Sequence, residues 1–395
     1  MRDQKPLIKI LSVSSNRADV GIISNVWNLL AKSSRFDLHI LLTGTHISDD
    51  SYVRKYIPTD AKVYQGGGDI TGSDGIDLAH HLSKIGEKCT ELYNKVSPNL
   101  ILVVGDRLEM LPAVTSSLPL NIPIGHIAGG DISEGAIDDR VRHAITKLSH
   151  VHFVLNKHSA QRVSQMGEQL WRINIVGAPN LDTLKSAKAL PPNLVKSKLG
   201  LKSLEKLRLV TIHPETNGLI YDEPLAPILE ALDRCANPTI ITAPNADPGG
   251  IKIAQRLSQF SANRSWAQYR ENLGTELYSN VMRYSSTMVG NSSSGIIEAG
   301  LYGLSVINVG NRQSGRDAGQ NVFHCASNAD EVFTLLSRLE KPATNIPSDS
   351  LYGDGNAAKR IVNVLAKLPS LEELLLKRFS KFQNNEFVEP WAQLS

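Results

Sequence analysis

A glycine- and serine-rich turn separates a short apolar run from a helical pattern in the segment 289–300, Val-Gly-Asn-Ser-Ser-Ser-Gly-Ile-Ile-Glu-Ala-Gly. A strand, a tight turn and a helix in this order leave backbone N–H groups unpaired at the helix N-terminus, where the helix dipole also favours an anion. The hydroxyls of Ser292, Ser293 and Ser294 can donate further hydrogen bonds to phosphate oxygens. Glu298, about one helical turn further on, could accept hydrogen bonds from a ribose diol. The segment therefore predicts a phosphate site, with an ordinary serine N-cap as the alternative.

Acidic side chains follow two apolar runs in the first half of the chain. Asp106 comes directly after the run 100–104, and three further acids follow the run 122–127, namely Asp131, Glu134 and Asp138. Ligands of doubly wound sheets bind outside the carboxyl ends of the strands, where these acids are expected to lie. Carboxylates that share a site shielded from water titrate at different pH values, so one can stay protonated while its neighbour is charged. Such a pair can transfer protons and stabilise positive charge. The alternative is a set of solvated helix caps and surface acids.

Polar residues also follow the predicted strands elsewhere in the chain. Arg17 follows the first run, and the second half adds His213, Asn245, Asp247 and Arg312. Arg312 could oppose phosphate charge. His213 could stabilise a leaving diphosphate or transfer a proton, although a structural hydrogen-bonding role is equally open. We interpret the second half as a nucleotide-binding domain and the first half as the domain that supplies the reactive groups.

Length and composition narrow the class of protein. The 395 residues exceed what one hydrophobic core usually organises, so two domains are expected. The net charge of +3 arises from 42 basic and 39 acidic residues without a clustered basic stripe, which argues against a nucleic-acid partner. The chain contains no apolar run long enough to span a bilayer and no signal-peptide pattern, so a cytoplasmic location is expected. Cys89, Cys235 and Cys325 lack metal-ligand spacing, and neither a disulfide nor a metal site is expected.

Short apolar runs alternate with helical patterns along nearly the whole chain, which predicts an α/β protein with two Rossmann-like, doubly wound domains. Strands are predicted at 7–13, 37–42, 100–104, 122–127, 151–155, 173–176, 207–212, 239–243, 287–289 and 305–309. Helices are predicted at 20–31, 76–96, 138–148, 223–234, 251–260, 277–284, 329–339, 356–368 and 371–375, and a further helix follows the strand 151–155 and ends at 166. The predicted domains are 1–180 and 204–368, with a hinge at 181–203 and a terminal segment, 369–395, that packs back across the boundary.

Taken together in order, these motifs resemble the hydrolysing UDP-N-acetylglucosamine 2-epimerases, bacterial enzymes of sialic-acid and legionaminic-acid type sugar synthesis. The matching segments are Arg-Ala-Asp at 17–19, Gly-Asp-Arg at 105–107, His-Ile-x-Gly-Gly-Asp at 126–131, Glu-Gly-Ala-Ile-Asp-Asp at 134–139, 142–150, His-Pro at 213–214, Pro-Asn-x-Asp at 244–247, 290–298, and Arg312. The resemblance implies two Rossmann-like domains that close on a cleft, as in GT-B glycosyltransferases. It also implies a homodimer or homotetramer that needs no cofactor and takes a UDP-sugar as substrate.

The resemblance also implies roles for individual residues. Those expected to bind UDP are Arg17, His213, Asn245, Ser292, Ser293, Glu298 and Arg312; those expected in catalysis are Asp106, Asp131, Asp138 and His213. Some family members carry a catalytic Glu two residues after the matched histidine, where this chain has Ala128. Its duty would then pass to a neighbour such as Asp131, or to water.

The expected reaction converts UDP-N-acetylglucosamine and water to N-acetylmannosamine and UDP through 2-acetamidoglucal. Because Ala128 leaves room beside the sugar, UDP-N,N'-diacetylbacillosamine is the alternative substrate. A GT-B glycosyltransferase and a non-catalytic UDP-sugar sensor are the remaining alternatives. A glycosyltransferase would need an acceptor site, and a sensor would bind the sugar nucleotide without turnover.

Overall fold

A computed structural model describes residues 7–67, 75–132, 137–215, 224–244, 249–339, 351–381, 387 and 389–391. The chain divides into two compact units. The first unit comprises the chain up to Asp182 together with the residues from Gly355 onward, and the second unit comprises Thr183–Asp354 as its main segment. The boundary at Asp182 falls inside a short helix. Three predicted positions, Glu134, Asn245 and Asp247, lie outside the described residues.

The first unit is built on a parallel sheet whose central strands are buried on both faces, as their apolar runs predict. Its strands are β1 (Ile8–Ser14), β2 (Phe36–Leu42), β3 (Lys62–Gln65), β4 (Leu100–Val104), β5 (Ile124–Ile127), β6 (Val151–Val154) and β7 (Ile173–Ile175). Their order within the described residues is β3-β2-β1-β4-β5-β6-β7. Strands β2 and β3 lie on one side of β1 and strands β4 to β7 on the other, so the order of strand addition switches between β1 and β4. Such a switch point creates a crevice at the carboxyl ends of the strands.

Helices cover both faces of this sheet. They are α1 (Arg17–Ala31), α2 (Ser51–Arg54), α3 (Gly75–Val96), α4 (Met110–Ser117), α5 (Ile137–Leu148) and α6 (Lys157–Gln165). Helix α7 (Asn180–Ser186) begins in the first unit and ends in the second. One core lies beneath α1, where Trp27 is buried and donates to Ser12 of β1 at 2.8 Å. A second core lies beneath α3 and α4, around Tyr93 and Met110. Packing in these two cores holds the strands in place, and thereby sets the positions of the residues that follow each strand.

The second unit repeats the arrangement with a second parallel sheet. Its strands are β8 (Arg208–Thr211), β9 (Thr239–Thr242), β10 (Ala267–Arg270), β11 (Thr287–Gly290), β12 (Ser305–Val309) and β13 (Val322–Cys325), in the order β10-β9-β8-β11-β12-β13 among the described residues. The helices are α8 (Pro192–Leu199), α9 (Leu225–Cys235), α10 (Gly250–Ala262), α11 (Gly274–Tyr284), α12 (Ser293–Ile297) and α13 (Ala329–Arg338). The two parallel sheets with alternating helices confirm the predicted fold class of two Rossmann-like, doubly wound domains.

The chain then returns to the first unit. Helix α14 (Ala357–Leu365) packs its buried residues Ala358, Ile361 and Leu365 into the core beneath α1. The sequence pattern predicts that residues up to 368 belong to the second domain, whereas the packing assigns this helix to the first unit. Helix α15 (Leu371–Leu375) also belongs to the first unit, so the return occurs before the predicted terminal segment begins.

Seven elements of the described residues were not predicted from the sequence: the strands β3, β10 and β13 and the helices α2, α4, α7 and α8. Short 3-10 turns also occur at Gly44–His46, Leu118–Leu120, Leu170–Arg172 and Ala299–Tyr302. Within the described ranges, no helix combines the length and apolar character needed to cross a bilayer.

Candidate active site

Two carboxylates of the first unit, those of Asp106 and Asp139, pair with one buried guanidinium. Asp106 stands in the turn after β4, and its carboxylate forms an ion pair with Arg142 of α5. The Arg142 side chain is 3% exposed and also donates from Nη1 to the carbonyl of Asp131 at 2.9 Å and to Oδ1 of Asp139 at 3.4 Å. A buried cation requires such partners. Arg142 therefore connects the turn after β4, the loop after β5 and the first turn of α5.

Asp138 occupies the first turn of α5 and differs from Asp106 in its surroundings. Burial is the largest influence on this half-buried carboxyl, and together with the negative charge of Asp106 it raises the pKa of Asp138. Arg107 and Arg142 oppose the rise without cancelling it. Asp138 can therefore hold a proton more readily than an ordinary aspartate, while Asp106 remains paired with a cation.

Asp131 lies in the loop after β5 and is 5% exposed. Its Oδ1 atom is buried, and no hydrogen-bond partner for it exists among the described residues. Gly130 before it has a φ of +76°, and a Cβ there would lie 2.5 Å from the carbonyl oxygen of Ser159. Arg162 of α6 donates to the carbonyl of Gly130 at 3.0 Å. The loop is thus held tightly while one buried carboxylate oxygen stays available.

Ala128 begins this loop and adopts a left-handed backbone conformation, with a φ of +66°. Residues other than glycine rarely adopt this conformation, which persists only where the surrounding structure enforces it. Its amide donates to the carbonyl of Phe153 on β6 at 2.9 Å, which enforces the turn. The methyl side chain stands where some relatives are expected to carry a catalytic glutamate.

The loop after β1 caps helix α1. Asn16 accepts from the amides of Ala18 and Asp19, and Asp19 accepts in return from the amide of Asn16 at 3.2 Å and also from that of Ser15 at 2.7 Å. Burial raises the pKa of Asp19 to about 6 despite these hydrogen bonds. Arg17 is exposed beside this cap, with Nη2 3.4 Å from Asp49.

In the second unit, the glycine- and serine-rich turn follows β11 as predicted. Gly290 has a φ of +142°, and a Cβ on it would lie 1.9 Å from the carbonyl oxygen of Thr211 on β8. Only glycine fits so close to a neighbouring strand. Asn291 is fully buried and joins the turn to the end of β8, because its Oδ1 accepts from the amide of His213 at 2.7 Å and its Nδ2 donates to the same residue's carbonyl at 2.9 Å.

The serines of the turn have distinct contacts. Ser292 is the N-cap of α12, since its Oγ accepts from the amide of Ser294, and the same Oγ lies 3.3 Å from Nε2 of His213. Ser293 begins the helix and is partly exposed. Ser294 donates to the carboxylate of Glu298 at 2.6 Å and lies 2.7 Å from the hydroxyl of Tyr278. The turn therefore presents hydroxyls, a ring nitrogen and the start of a helix at one edge of the sheet.

The loop after β12 is attached to the same turn. Arg312 Nη1 donates to the carbonyl of Asn291 at 3.2 Å, and Gln313 Nε2 donates to that carbonyl at 2.9 Å. Gln313 is buried, whereas Arg312 is partly exposed. These contacts place a guanidinium beside the hydroxyl-rich turn.

Comparison with known proteins gives this arrangement a family. The model of the UDP-N-acetylglucosamine 2-epimerase family matches residues 28–366 of the chain. The chain belongs to this family. A UDP-N,N'-diacetylbacillosamine 2-epimerase (hydrolyzing) of Legionella pneumophila is 34% identical over 381 residues, which cover 93% of this chain and 98% of the relative. A UDP-N-acetylglucosamine 2-epimerase of Neisseria meningitidis is 31% identical over 336 residues, which cover 84% and 87%.

Solved structures of the 2-epimerase family share the fold. The Neisseria meningitidis UDP-GlcNAc 2-epimerase bound to UDP-GlcNAc superposes with a TM-score of 0.74 at 18% identity, covering 91% of this chain and all of that one. The resemblance inferred from the motifs is therefore confirmed at the level of the family and the fold.

This 2-epimerase family member carries its predicted site residues in two groups. The first unit holds Asp106, Asp131, Asp138 and Arg17; the second unit holds His213, Ser292, Ser293, Glu298 and Arg312. Sequence reasoning assigned no role to Arg142, Asn291 or Gln313. A signal for Arg142 existed, because it stands four residues after Asp138 and hence on the same helix face. Asn291 and Gln313 offered no comparable signal, since their contacts are to distant backbone groups.

Proposed function

We propose that the protein is a hydrolysing 2-epimerase that converts a UDP-linked 2-acetamido sugar and water to the free 2-epimer and UDP. The observation that carries this proposal is the group of acidic residues around Arg142 at the carboxyl ends of β4 and β5, in a member of the 2-epimerase family. A sugar nucleotide must lose a proton and a diphosphate in this reaction. The chain supplies acids in one unit and a hydroxyl-rich turn in the other.

The order of bond breaking follows from the chemistry of the sugar. The C2–H bond is weakly acidic because no carbonyl activates it, so cleavage of C1–O leads and the ring acquires positive charge. UDP departs with the C1 oxygen, the C2 proton leaves, and 2-acetamidoglucal forms. Water then adds its hydroxyl to C1, while C2 receives a proton on the opposite face.

The carboxylates of the first unit suit different parts of this sequence. Asp106, paired with Arg142 and 26% exposed, is available to stabilise the cationic ring. Asp138, whose pKa burial raises, is suited to exchange protons with C2. Asp131, whose Oδ1 is buried and has no hydrogen-bond partner among the described residues, is a second candidate for proton transfer. It could take the role of the glutamate that some relatives are expected to carry at the position of Ala128.

Residues of the second unit are proposed to bind the nucleotide. The amides at the start of α12, with Ser292 and Ser293, can donate to the diphosphate, and Arg312 opposes its charge. His213, close to Ser292, can donate to the leaving group. Glu298 is proposed to accept from the ribose. Arg17 and Asn245 keep the UDP-binding roles that the resemblance predicts.

We further propose that the preferred substrate is UDP-N,N'-diacetylbacillosamine, with UDP-N-acetylglucosamine as the alternative. The Legionella pneumophila relative that bears this substrate in its name covers more of the chain, at higher identity, than the Neisseria meningitidis relative. The small Ala128 in the loop after β5 supports the same choice, because it leaves room for a bulkier C4 substituent.

One experiment tests both parts. The protein is incubated with each UDP-sugar in heavy water and in oxygen-18 water, with and without an added acceptor, and products are identified by NMR and mass spectrometry. The 2-epimer should carry deuterium at C2 and oxygen-18 at C1, while UDP carries no oxygen-18. A product that retains its original C2 hydrogen would refute elimination, turnover only with an acceptor would indicate a glycosyltransferase, and binding without turnover would indicate a sensor.

A substitution at Ala128 tests the preference for one sugar over the other. Ala128→Glu should narrow or reverse the ratio of kcat/KM values for the two UDP-sugars. A wild-type preference for UDP-N-acetylglucosamine would overturn the assignment of the sugar and leave the reaction standing. The homo-oligomer, the cytoplasmic location and the sialic- or legionaminic-acid context stay predictions.

A further inference from the structure

His126 is a fully buried histidine on β5 that touches the turn carrying Asp106. Its Nε2 lies 2.7 Å from the carbonyl oxygen of Gly105, the residue before Asp106, and its Nδ1 lies 3.2 Å from the hydroxyl of Thr146 on α5. A carbonyl oxygen accepts hydrogen bonds and cannot donate them. The ring proton must therefore sit on Nε2 for the shorter contact to be a hydrogen bond.

The surroundings of His126 favour a neutral ring. Burial lowers its pKa to about 3, and the nearby groups His152 on β6 and Arg142 and His143 on α5 also oppose a positive charge. A neutral ring with its proton on Nε2 has an acceptor at Nδ1, which faces the hydroxyl of Thr146. That hydroxyl also lies 2.8 Å from the carbonyl of Arg142, so it can turn between the two acceptors. The Gly105 carbonyl therefore selects the tautomer of the ring, and the Thr146 hydroxyl can donate to the remaining acceptor at Nδ1.

The backbone at Gly129 packs closely against the ring and against Thr146. A Cβ on Gly129 would lie 2.8 Å from both Nδ1 of His126 and Oγ1 of Thr146. The amide of Gly105 donates to the carbonyl of Ile127 at 2.9 Å, so the turn after β4 is tied to β5 by two contacts. Since Gly105 has a φ of +69°, its carbonyl direction is a specific feature of this turn.

We propose that His126, as a neutral imidazole with its proton on Nε2, is a positioning residue that links the Asp106 turn to helix α5. The inference rests on the proposed function, because it concerns the geometry of Asp106 relative to Asp138 during turnover. One ring nitrogen holds the backbone that aims Asp106, and the other contacts the helix that carries Asp138. His126 does not touch the sugar and transfers no proton.

Variants separate this role from general damage to the core. His126→Leu removes the donor to Gly105 and should lower kcat about a hundredfold, the scale of an active-site displacement of roughly 1 Å, with the Kd for UDP unchanged. His126→Gln can place an amide N–H near the position of Nε2 and should restore most of kcat. Thr146→Val should lower kcat, and Thr146→Ser should keep it. The matched control is His152→Leu, which removes the neighbouring buried histidine on β6 and should reduce stability without lowering kcat.

Nitrogen NMR of the histidine side chains gives a readout that does not depend on turnover. The wild-type spectrum should show His126 neutral, with its proton on Nε2, at every pH between about 5 and 8, whereas an ordinary histidine titrates near 6.5. A ring that titrates near 6.5, a proton on Nδ1, a His126→Leu variant with wild-type kcat, or a His152→Leu variant with an equal loss would each overturn the proposal. If the wild-type protein turns over no UDP-sugar, the proposed function fails, and the NMR result still tests the state of His126.

Discussion

Replacing Glu168 by glutamine should destabilise the first unit in a way that depends on pH. The carboxylate is completely buried and lies 2.8 Å from Nζ of Lys147, 2.9 Å from Nζ of Lys377 and 3.1 Å from Nε2 of His152. Burial works against its charge, but the hydrogen bond from His152 and those from the two lysines outweigh burial and lower the pKa of Glu168 from 4.5 to about 2. The gap between these values, at about 1.36 kcal/mol per pKa unit, corresponds to roughly 3 kcal/mol of stabilisation at neutral pH.

The sign of the effect follows from the lowered pKa. A carboxylate of this kind contributes its full stabilisation above pH 4.5, and the contribution is lost as the pH falls towards about 2. The difference in unfolding free energy between the wild type and Glu168→Gln should therefore be about 1 kcal/mol smaller near pH 3.5 than at pH 7. Glu87→Gln, an exposed change on α3, should alter stability by no more than about 0.5 kcal/mol at either pH.

Denaturant unfolding at the two pH values measures the difference. Because a chain with two units need not unfold in a single step, hydrogen exchange provides a local measurement. The amide of Leu374 donates to the carbonyl of Ser370, the N-cap of α15, and the amide of Leu376 donates to the carbonyl of Glu372. Both amides lie close in sequence to Lys377 and should exchange faster in Glu168→Gln. A loss of stability that is the same at pH 7 and at pH 3.5 would contradict the lowered pKa and the reasoning built on it.

Three further predictions concern the proposed nucleotide site. UDP at about a hundred times its Kd should add roughly 2.7 kcal/mol to stability, and an unchanged melting midpoint at millimolar UDP would contradict the nucleotide assignment. Arg312→Ala should weaken UDP binding in calorimetry by about 1.5–3 kcal/mol, while Asp106→Asn should lower kcat and leave that affinity nearly intact; an equal loss in both would make Asp106 a nucleotide ligand. Gly290→Ala should lower both the melting temperature and UDP affinity, because the added methyl meets the carbonyl of Thr211, whereas Gly21→Ala on the exposed side of α1, where a Cβ meets nothing within 4 Å, should stabilise by about 0.5–1 kcal/mol. If Gly290→Ala binds UDP with wild-type affinity, the turn after β11 is not part of the UDP site.

The sequence predicted the central strands well because they are buried on both faces. The runs 100–104 and 305–309 coincide with β4 and β12. The three strands that were missed, β3, β10 and β13, all lie at the edges of their sheets. An edge strand is covered less completely, and Lys62–Gln65 accordingly mixes polar and apolar residues with no continuous run. Local periodicity carries no signal for such a strand, since its stability depends on a neighbour distant in sequence.

The return of the chain to the first unit was hidden for a related reason. The apolar face of α14 predicts a helix that packs on a core, but it does not say which of two similar sheets provides that core. Ile361 and Leu365 meet the residues of α1 more than three hundred positions earlier in the chain. Continuity along the sequence favoured the second domain, and tertiary packing decided otherwise.

The location of the candidate site residues could be predicted from the sequence, but their contacts could not. Residues that directly follow buried strands must lie at the carboxyl edge of a parallel sheet, so Asp106 and His213 could be found from the strands alone. The partner of Asp106 could not, because Arg142 lies 36 residues away on a helix whose orientation the sequence does not specify. The contact of His126 with Gly105 is equally invisible, since a histidine in a buried strand is more often a packing residue.

Two buried ion pairs in the first unit show why charge alone does not identify a functional acid. Glu168 has no exposed surface, and three side chains hydrogen-bond to its carboxylate. Asp106 is also paired with a buried cation, yet 26% of its side chain remains exposed. A buried ion pair is weak evidence for stability, because desolvation can offset the attraction between the charges. An acid enclosed by protein donors can anchor a segment, but only an acid with an open face can meet a substrate. The Arg142 pair is therefore better explained by the need to hold a charged carboxylate in one orientation at the sheet edge than by any contribution to folding.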